Sequence, residues 1–335
     1  MMPTLAAALF ALAAQEQPEG ATKELLHELK ACPFRIVHES FRDGNWELYV
    51  VNADGSDPVN LTKTPDVDEL YPKVSPDGTK ICFMADEGRG EARARNVYVM
   101  NADGTGRVKI ADRARDPCWS ADGKRIAYLL LEFDAFMYSD IASKGLRIHD
   151  LATGKATDHP NAAKILHLFT LNGSPDGRWF VATVHGGMGF KHGIIALEAG
   201  GDGVFDLQLK GCRPDLSPDG KKVIWGHGDY AIGLAELDLD SKPPKATFLR
   251  NIVESKEPLE TYHADWSPDV KYVAFSCGPK FKGKNLKGML PEMNGVEAPG
   301  WNVCVADATA KNRWVALTLD GKSNKEAEWL PPPKK

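Results

Sequence analysis

The sequence has no apolar run long enough to cross a bilayer as a helix. The longest, Pro3 to Ala14, falls short of the roughly 20 residues that a span requires. It has no Cys-x-x-Cys pair, which excludes the metal and redox motifs built on that spacing. It has no surplus of positive charge: 41 Lys and Arg face 46 Asp and Glu, for a net charge of −5. Nor does any predicted strand carry a basic stripe interleaved with aromatics, so a nucleic-acid partner is not expected. Cysteine is sparse. Cys32, Cys82, Cys118, Cys212, Cys277 and Cys304 are an even set, which fits export, but most fall in predicted strands of different repeats. There Cys packs as a small hydrophobe, so the thiols are read as mostly reduced and buried, with Cys32 the freest to pair.

What the sequence does have is a recurring tetrapeptide. Ser75-Pro76-Asp77-Gly78, Ser120-Ala121-Asp122-Gly123, Ser174-Pro175-Asp176-Gly177 and Ser217-Pro218-Asp219-Gly220 are near copies. Ser267-Pro268-Asp269-Val270 is a degenerate fifth, and Trp329-Leu330-Pro331 a truncated sixth. Their starts lie roughly 43 to 63 residues apart, the period of a propeller blade. In each turn Pro fixes φ and Gly supplies a positive φ. The repeat from Tyr71 to Ile110 reads as four strands joined by hairpins, and its Asn101-Ala102-Asp103-Gly104 turn is echoed at Asn52-Ala53-Asp54-Gly55.

The prediction is an all-β, six-bladed propeller of four-stranded antiparallel blades. The first repeat lacks its innermost strand, and Glu328-Trp329-Leu330-Pro331 matches the missing piece. The C-terminal strand is therefore expected to close the ring. The blades are the tail with 34–63, then 70–111, 115–160, 165–210, 212–250 and 261–319. Residues 1–14 resemble a secretory signal peptide, although no Lys or Arg precedes the apolar run. Residues 15–33 read as a linker and a short helix, and 34–335 as the propeller. A periplasmic or secreted location is the expectation.

Strand direction assigns the loops. The Ser-x-Asp-Gly and Asn-Ala-Asp-Gly turns share one rim, and the insertions share the other. Insertions on a rigid scaffold are where binding residues concentrate. Leu131 to Lys144 carries Phe133, Phe136 and Tyr138; Gly278 to Gly300 carries Lys280, Phe281 and Lys282. His185 and His227 end second strands, and His263 enters an inner strand, all at that rim. The ligand contacts expected are Phe133, Phe136, Tyr138, His185, His227, His263, Lys280, Phe281 and Lys282. Histidines gathered this way can hold a divalent metal or act as acid and base. Trp119, Trp266 and Trp329 precede the turns at equivalent positions and read as inter-blade packing.

Val99-Met100-Asn101-Ala102-Asp103-Gly104, the run Asp116 to Tyr128, and Ser40-Phe41-Arg42-Asp43-Gly44-Asn45 resemble propeller repeats of the TolB family. They are also similar to the propeller domains of tricorn and prolyl-oligopeptidase-type peptidases. The resemblance covers roughly residues 34 to 331. The α/β domain that precedes the propeller in TolB has no counterpart in the short stretch before these repeats, and there is no Gly-x-Ser-x-Gly nucleophile elbow. The resemblance therefore implies a stand-alone propeller that recognises a protein partner or a cell-envelope glycan. A second layout is similar to that of oligogalacturonate lyases, which have a His-rich metal site in the funnel. It implies the alternative of a metal-dependent lyase or hydrolase acting on an acidic polysaccharide, with His185, His227 and His263 on the metal.

Overall fold

A computed structural model of the protein describes residues 19–281 and 289–332. Lys282 and the expected signal segment lie outside the described residues. Six four-stranded antiparallel sheets are arranged in sequence as blades. Their inner strands are Ser323–Leu330, Asp68–Val74, Ala114–Trp119, Leu168–Gly173, Cys212–Leu216 and Leu259–Trp266, for blades one to six. The ring closes as the sequence predicts: Ser323–Leu330 pairs with Arg35–Phe41, with Leu330 opposite Arg35 and Ser323 opposite Phe41.

The recurring turn makes its own small network. Each serine hydroxyl donates to the aspartate two residues on, at 2.6 to 2.7 Å, and accepts the N–H five residues on. The same carboxylate accepts a further backbone N–H. These bonds, the serine's first, hold the Asp77, Asp122 and Asp219 carboxyls below their ordinary range. Their lone pairs are occupied by the turn, so the motif builds blades and leaves little for substrate. Gly104, at φ +88°, lets the Asn-Ala-Asp-Gly turn of blade two lie against blade one: a Cβ there would stand 2.4 Å from the Leu61 carbonyl oxygen.

Alternation along each strand fills the junctions between blades. In Lys80–Glu87, Ile81 and Phe83 face Val37 and Leu48 of blade one, whereas Cys82 faces Trp119 and Ile126 of blade three. Trp119, Trp266 and Trp329 are buried in such junctions, as expected. The helix Glu19–Lys30 is packed onto the ring. Leu25 and Leu29 bury against Ile36, Val303, Val315 and Trp329, and Glu28 pairs with Arg313 at 2.7 Å. All six cysteines are free, and Cys82, Cys118, Cys277 and Cys304 are buried.

Candidate functional site

Each inner strand carries one residue in the left-handed region, four places before its turn: Tyr71, Asp116, Thr170, Arg213, His263 and Glu326, at φ between +48° and +58°. Each lies where the pairing register shifts, so every inner strand has a bulge at the same height. A left-handed non-glycine costs about 1 kcal/mol or more. Repeated six times, that strain sets aside a ring of polar side chains around the axis.

An ionic network surrounds this ring. Asp140, from the blade-three insertion, accepts Arg115 at 2.8 Å and Arg213 at 2.5 Å. Burial works to raise the Asp140 carboxyl, but Arg213 and Arg115 outweigh it and hold it below its usual range. Arg95 forks onto Asp86 at 2.8 and 3.0 Å. Glu326 lies 3.1 Å from His263 and 3.6 Å from Arg213. Burial, helped by the nearby Arg213 and Lys325, keeps His263 neutral by lowering its pKa well below the ordinary value.

The second insertion, from residue 289 onward, sits over these cations as a plug. Lys325 Nζ donates to the carbonyls of Pro291, Met293 and Val296 at 3.0, 2.7 and 3.0 Å. Arg213 and the His263 Nε2–H donate to the Glu292 carbonyl at 3.2 and 2.9 Å, and Arg95 reaches that of Asn294 at 3.4 Å. Five backbone oxygens of one short segment are thus satisfied by four cationic or polar side chains from the ring. Val296, Ala298 and Trp301 are buried behind them. The segment thus lies across the inner strands on this rim.

The expected contact residues separate into three groups. Phe136 and Tyr138 meet edge to face at 5.0 Å and pack on Arg93, whose guanidinium lies 4.3 and 5.0 Å from their ring centres. Phe133 is exposed beside them in sequence, with Met137 and, on the plug, Leu290. Lys280 lies by Tyr230, Asp229 and Glu260, and Phe281 packs with Tyr262 and Trp301. The histidines do not gather. His185 contacts His192 at 2.9 Å, His227 contacts Asn251 at 2.9 Å, and only His263 belongs to the channel network. A second strand ends one strand away from the axis, so His185 and His227 meet third and outer strands instead. Among the described residues no group of three or more His, Cys, Asp or Glu is placed to hold a metal ion.

Sequence reasoning missed Arg95, Arg115, Arg213, Lys325 and Asp140. Arg213 and Arg115 stand four and five places before a turn serine, which marks them as inner-strand residues, whereas Arg95 on a third strand and Asp140 in an insertion carry no such signal. Where blades one and two, the blade-three insertion and the plug meet lies an open cleft of about 410 Å³, lined by Trp46, Asp68, Arg89, Arg93, Tyr138 and Met289 among others.

Farther along the channel, Lys73 pairs with Glu328 at 2.7 Å, with Asp215 and Asp265 close by. These acids link blades. Asp215 accepts the Trp266 N–H, Asp265 that of Trp329, and Glu328 that of Val74. Burial raises the carboxyl of Asp215 to about 7 and that of Glu326 to about 8. The folded state then holds protons that the unfolded state has already released, so stability falls as pH rises through these values. Below pH 6.5 the buried neutral His263 and His38 act with the opposite sign, because the unfolded chain binds protons there. The decline is therefore clearest between about pH 6.5 and pH 8, where Glu69 and Glu260, also raised to about 7 by burial, add to it. Thermal melts across this range should show it, and Glu326→Gln should flatten it.

No family model matches the sequence, and no curated protein is matched by it. Solved structures do match. TolB from Acinetobacter baumannii superposes with a TM-score of 0.61 at 18% identity, over 89% of this chain and 67% of that one. A chain of a nidogen/laminin complex gives 0.57 at 8% identity, over 89% and 98%. Hydrazine synthase from Kuenenia stuttgartiensis gives 0.56 at 11% identity, over 93% of this chain and 49% of that one. At such identities the likeness concerns architecture alone. In its fold the chain is a TolB-like six-bladed β-propeller.

Proposed function

We propose that the protein is an exported binding scaffold that docks a protein partner on its insertion-bearing rim. The observation that carries this reading is the plug. With five of its carbonyls tied to Lys325, Arg213, His263 and Arg95, it denies a small substrate the channel from this side. What remains on the rim is a surface of two insertions with Phe133 47%, Met137 41% and Leu290 57% exposed, next to the cleft with its exposed Arg89. Apolar side chains displayed on a rigid frame and rimmed by charge suit a macromolecular partner. One of the structures with this fold belongs to a nidogen/laminin complex, which is compatible with that use. Export rests on the apolar start of the sequence.

The test uses tagged protein to capture partners from an envelope extract, comparing wild type with Phe133→Asp/Met137→Asp/Leu290→Asp and with Lys221→Glu on the opposite rim. The expected result is a protein retained by wild type and Lys221→Glu and reduced at least tenfold with the triple variant. Equal capture by all three, or retention of an acidic polysaccharide in place of a protein, contradicts the reading.

A further inference from the structure

The outermost strands of five blades are short: Val59–Asn60, Val108–Ala111, Ala156–Asp158, Val204–Asp206 and Trp314–Ala316, two to four residues each. The outermost strand of blade five, Lys245–Glu254, has ten. Short edges protect a sheet from pairing with other chains, and a long one invites it. Half of this edge is already covered. The Asn312 N–H donates to the Ile252 carbonyl at 2.7 Å, its side chain accepts the Glu254 N–H at 3.1 Å, and Arg250 reaches the Ala308 carbonyl at 2.7 Å. From Lys245 to Leu249, no backbone bond to another element is found among the described residues beyond the pairing with Ala231–Asp238.

That open half is also the apolar half. Phe248 is 48% and Leu249 45% exposed. Phe248 crowns an aromatic stack, with the buried Trp225 ring at 6.0 Å and the half-buried His227 ring at 5.3 Å. Gly233 makes the stack possible: a Cβ there would stand 2.7 Å from the Trp225 ring. The stack is therefore a built feature of the blade, with one ring left uncovered.

We infer that Lys245–Leu249 is a second docking site, separate from the insertion rim, which takes an extended segment of a partner protein as a fifth strand of blade five. Main-chain hydrogen bonds hold the segment, and an apolar side chain on it covers Phe248. A second copy of this chain is the poorer occupant. Five residues of strand span roughly 17 Å. Pairing two rigid propellers over that length, with the 308–312 loop beside it, buries far less than the roughly 1,000 Å² a stable dimer needs. A flexible peptide needs no more than the strip provides.

The test is selection of a phage-displayed library of random twelve-residue peptides on the purified protein, with counter-selection on Phe248→Asp. Phe248 is half exposed, so the substitution spares the core, and an unchanged melt confirms the fold. The expected outcome is a set of peptides with alternating apolar residues that protect the 245–249 amides from exchange. They should bind Phe248→Asp at least tenfold more weakly and the Phe133→Asp/Met137→Asp/Leu290→Asp variant normally. Leu249→Pro, at a bulged position of the strand, should also weaken them. Failure to select peptides that distinguish wild type from Phe248→Asp overturns the proposal. So does binding that is lost with the rim variant, or self-association of wild type abolished by Phe248→Asp.

Discussion

A chain ending at Lys322 is expected not to fold. Removal of Ser323–Leu330 takes the inner strand from blade one and leaves Arg35–Phe41 unpaired on one side. It also removes the buried Leu330, and Trp329 from the junction where the helix Glu19–Lys30 packs. The inter-blade bonds go with it: the Trp329 N–H leaves Asp265, and Glu328 leaves both Val74 and Lys73. A buried Trp→Ala change alone costs about 3–5 kcal/mol, and a whole domain has only about 5–15 kcal/mol in hand. Far-ultraviolet circular dichroism and a thermal melt report the outcome. The truncated chain should lack a cooperative transition, while Trp329→Ala should melt cooperatively but several degrees lower. A truncated chain melting near the full-length temperature contradicts ring closure by the tail.

Lys325→Met should lower stability by roughly 3–5 kcal/mol, a large effect for one side chain. The ammonium is fully buried, lies 3.8 Å from Glu39 and 4.9 Å from the Trp46 ring, and donates to three carbonyls of the plug. Burial works to lower its pKa, but the Glu39 and Glu326 carboxylates counter that in part and favour the charge. Methionine fills the space and leaves the carbonyls of Pro291 and Val296 without a donor, that of Met293 with only the Val296 N–H, and Glu39 without its cation. Unpaired buried groups of this kind cost about 1–3 kcal/mol each unless water reaches them. The plug should therefore loosen. Because Lys325 and Glu39 share one network, Glu39→Gln with Lys325→Met should cost less than the two single changes summed. Denaturant melts of the three variants read this directly; strict additivity would mean the pair is not coupled.

The architecture was legible because its signals are local and repeated. Ser-x-Asp-Gly fixes a turn from four adjacent residues, and four copies with a degenerate fifth at blade spacing imply the ring. Even closure could be read, since Glu328-Trp329-Leu330 matches the segment before the other turns. The channel was not legible in the same way. Arg213, Asp140 and Glu326 lie in three different blades and meet only once the ring has closed. The plug escaped for another reason: Pro291 to Val296 acts through backbone carbonyls, which every sequence has. The histidines misled because a rim is a wide place. His185 and His227 reach the expected rim but turn to His192 and Asn251, whereas His263 reaches the axis because it occupies the bulged position of an inner strand.

Hydrogen–deuterium exchange across residues 289–301 is the most direct test of the plug over the inner strands. The Val296 and Trp301 N–H groups are bonded to the Met293 and Ala298 carbonyls within the segment, and the Asn324 N–H is bonded to the Trp301 carbonyl. Peptides covering Met293 to Trp301 should exchange slowly in wild type, approaching the blade strands, and rapidly in Lys325→Met. Exchange within seconds in the wild-type protein would mean the mouth stands open, and the rim would then have to be read as the entrance to a funnel.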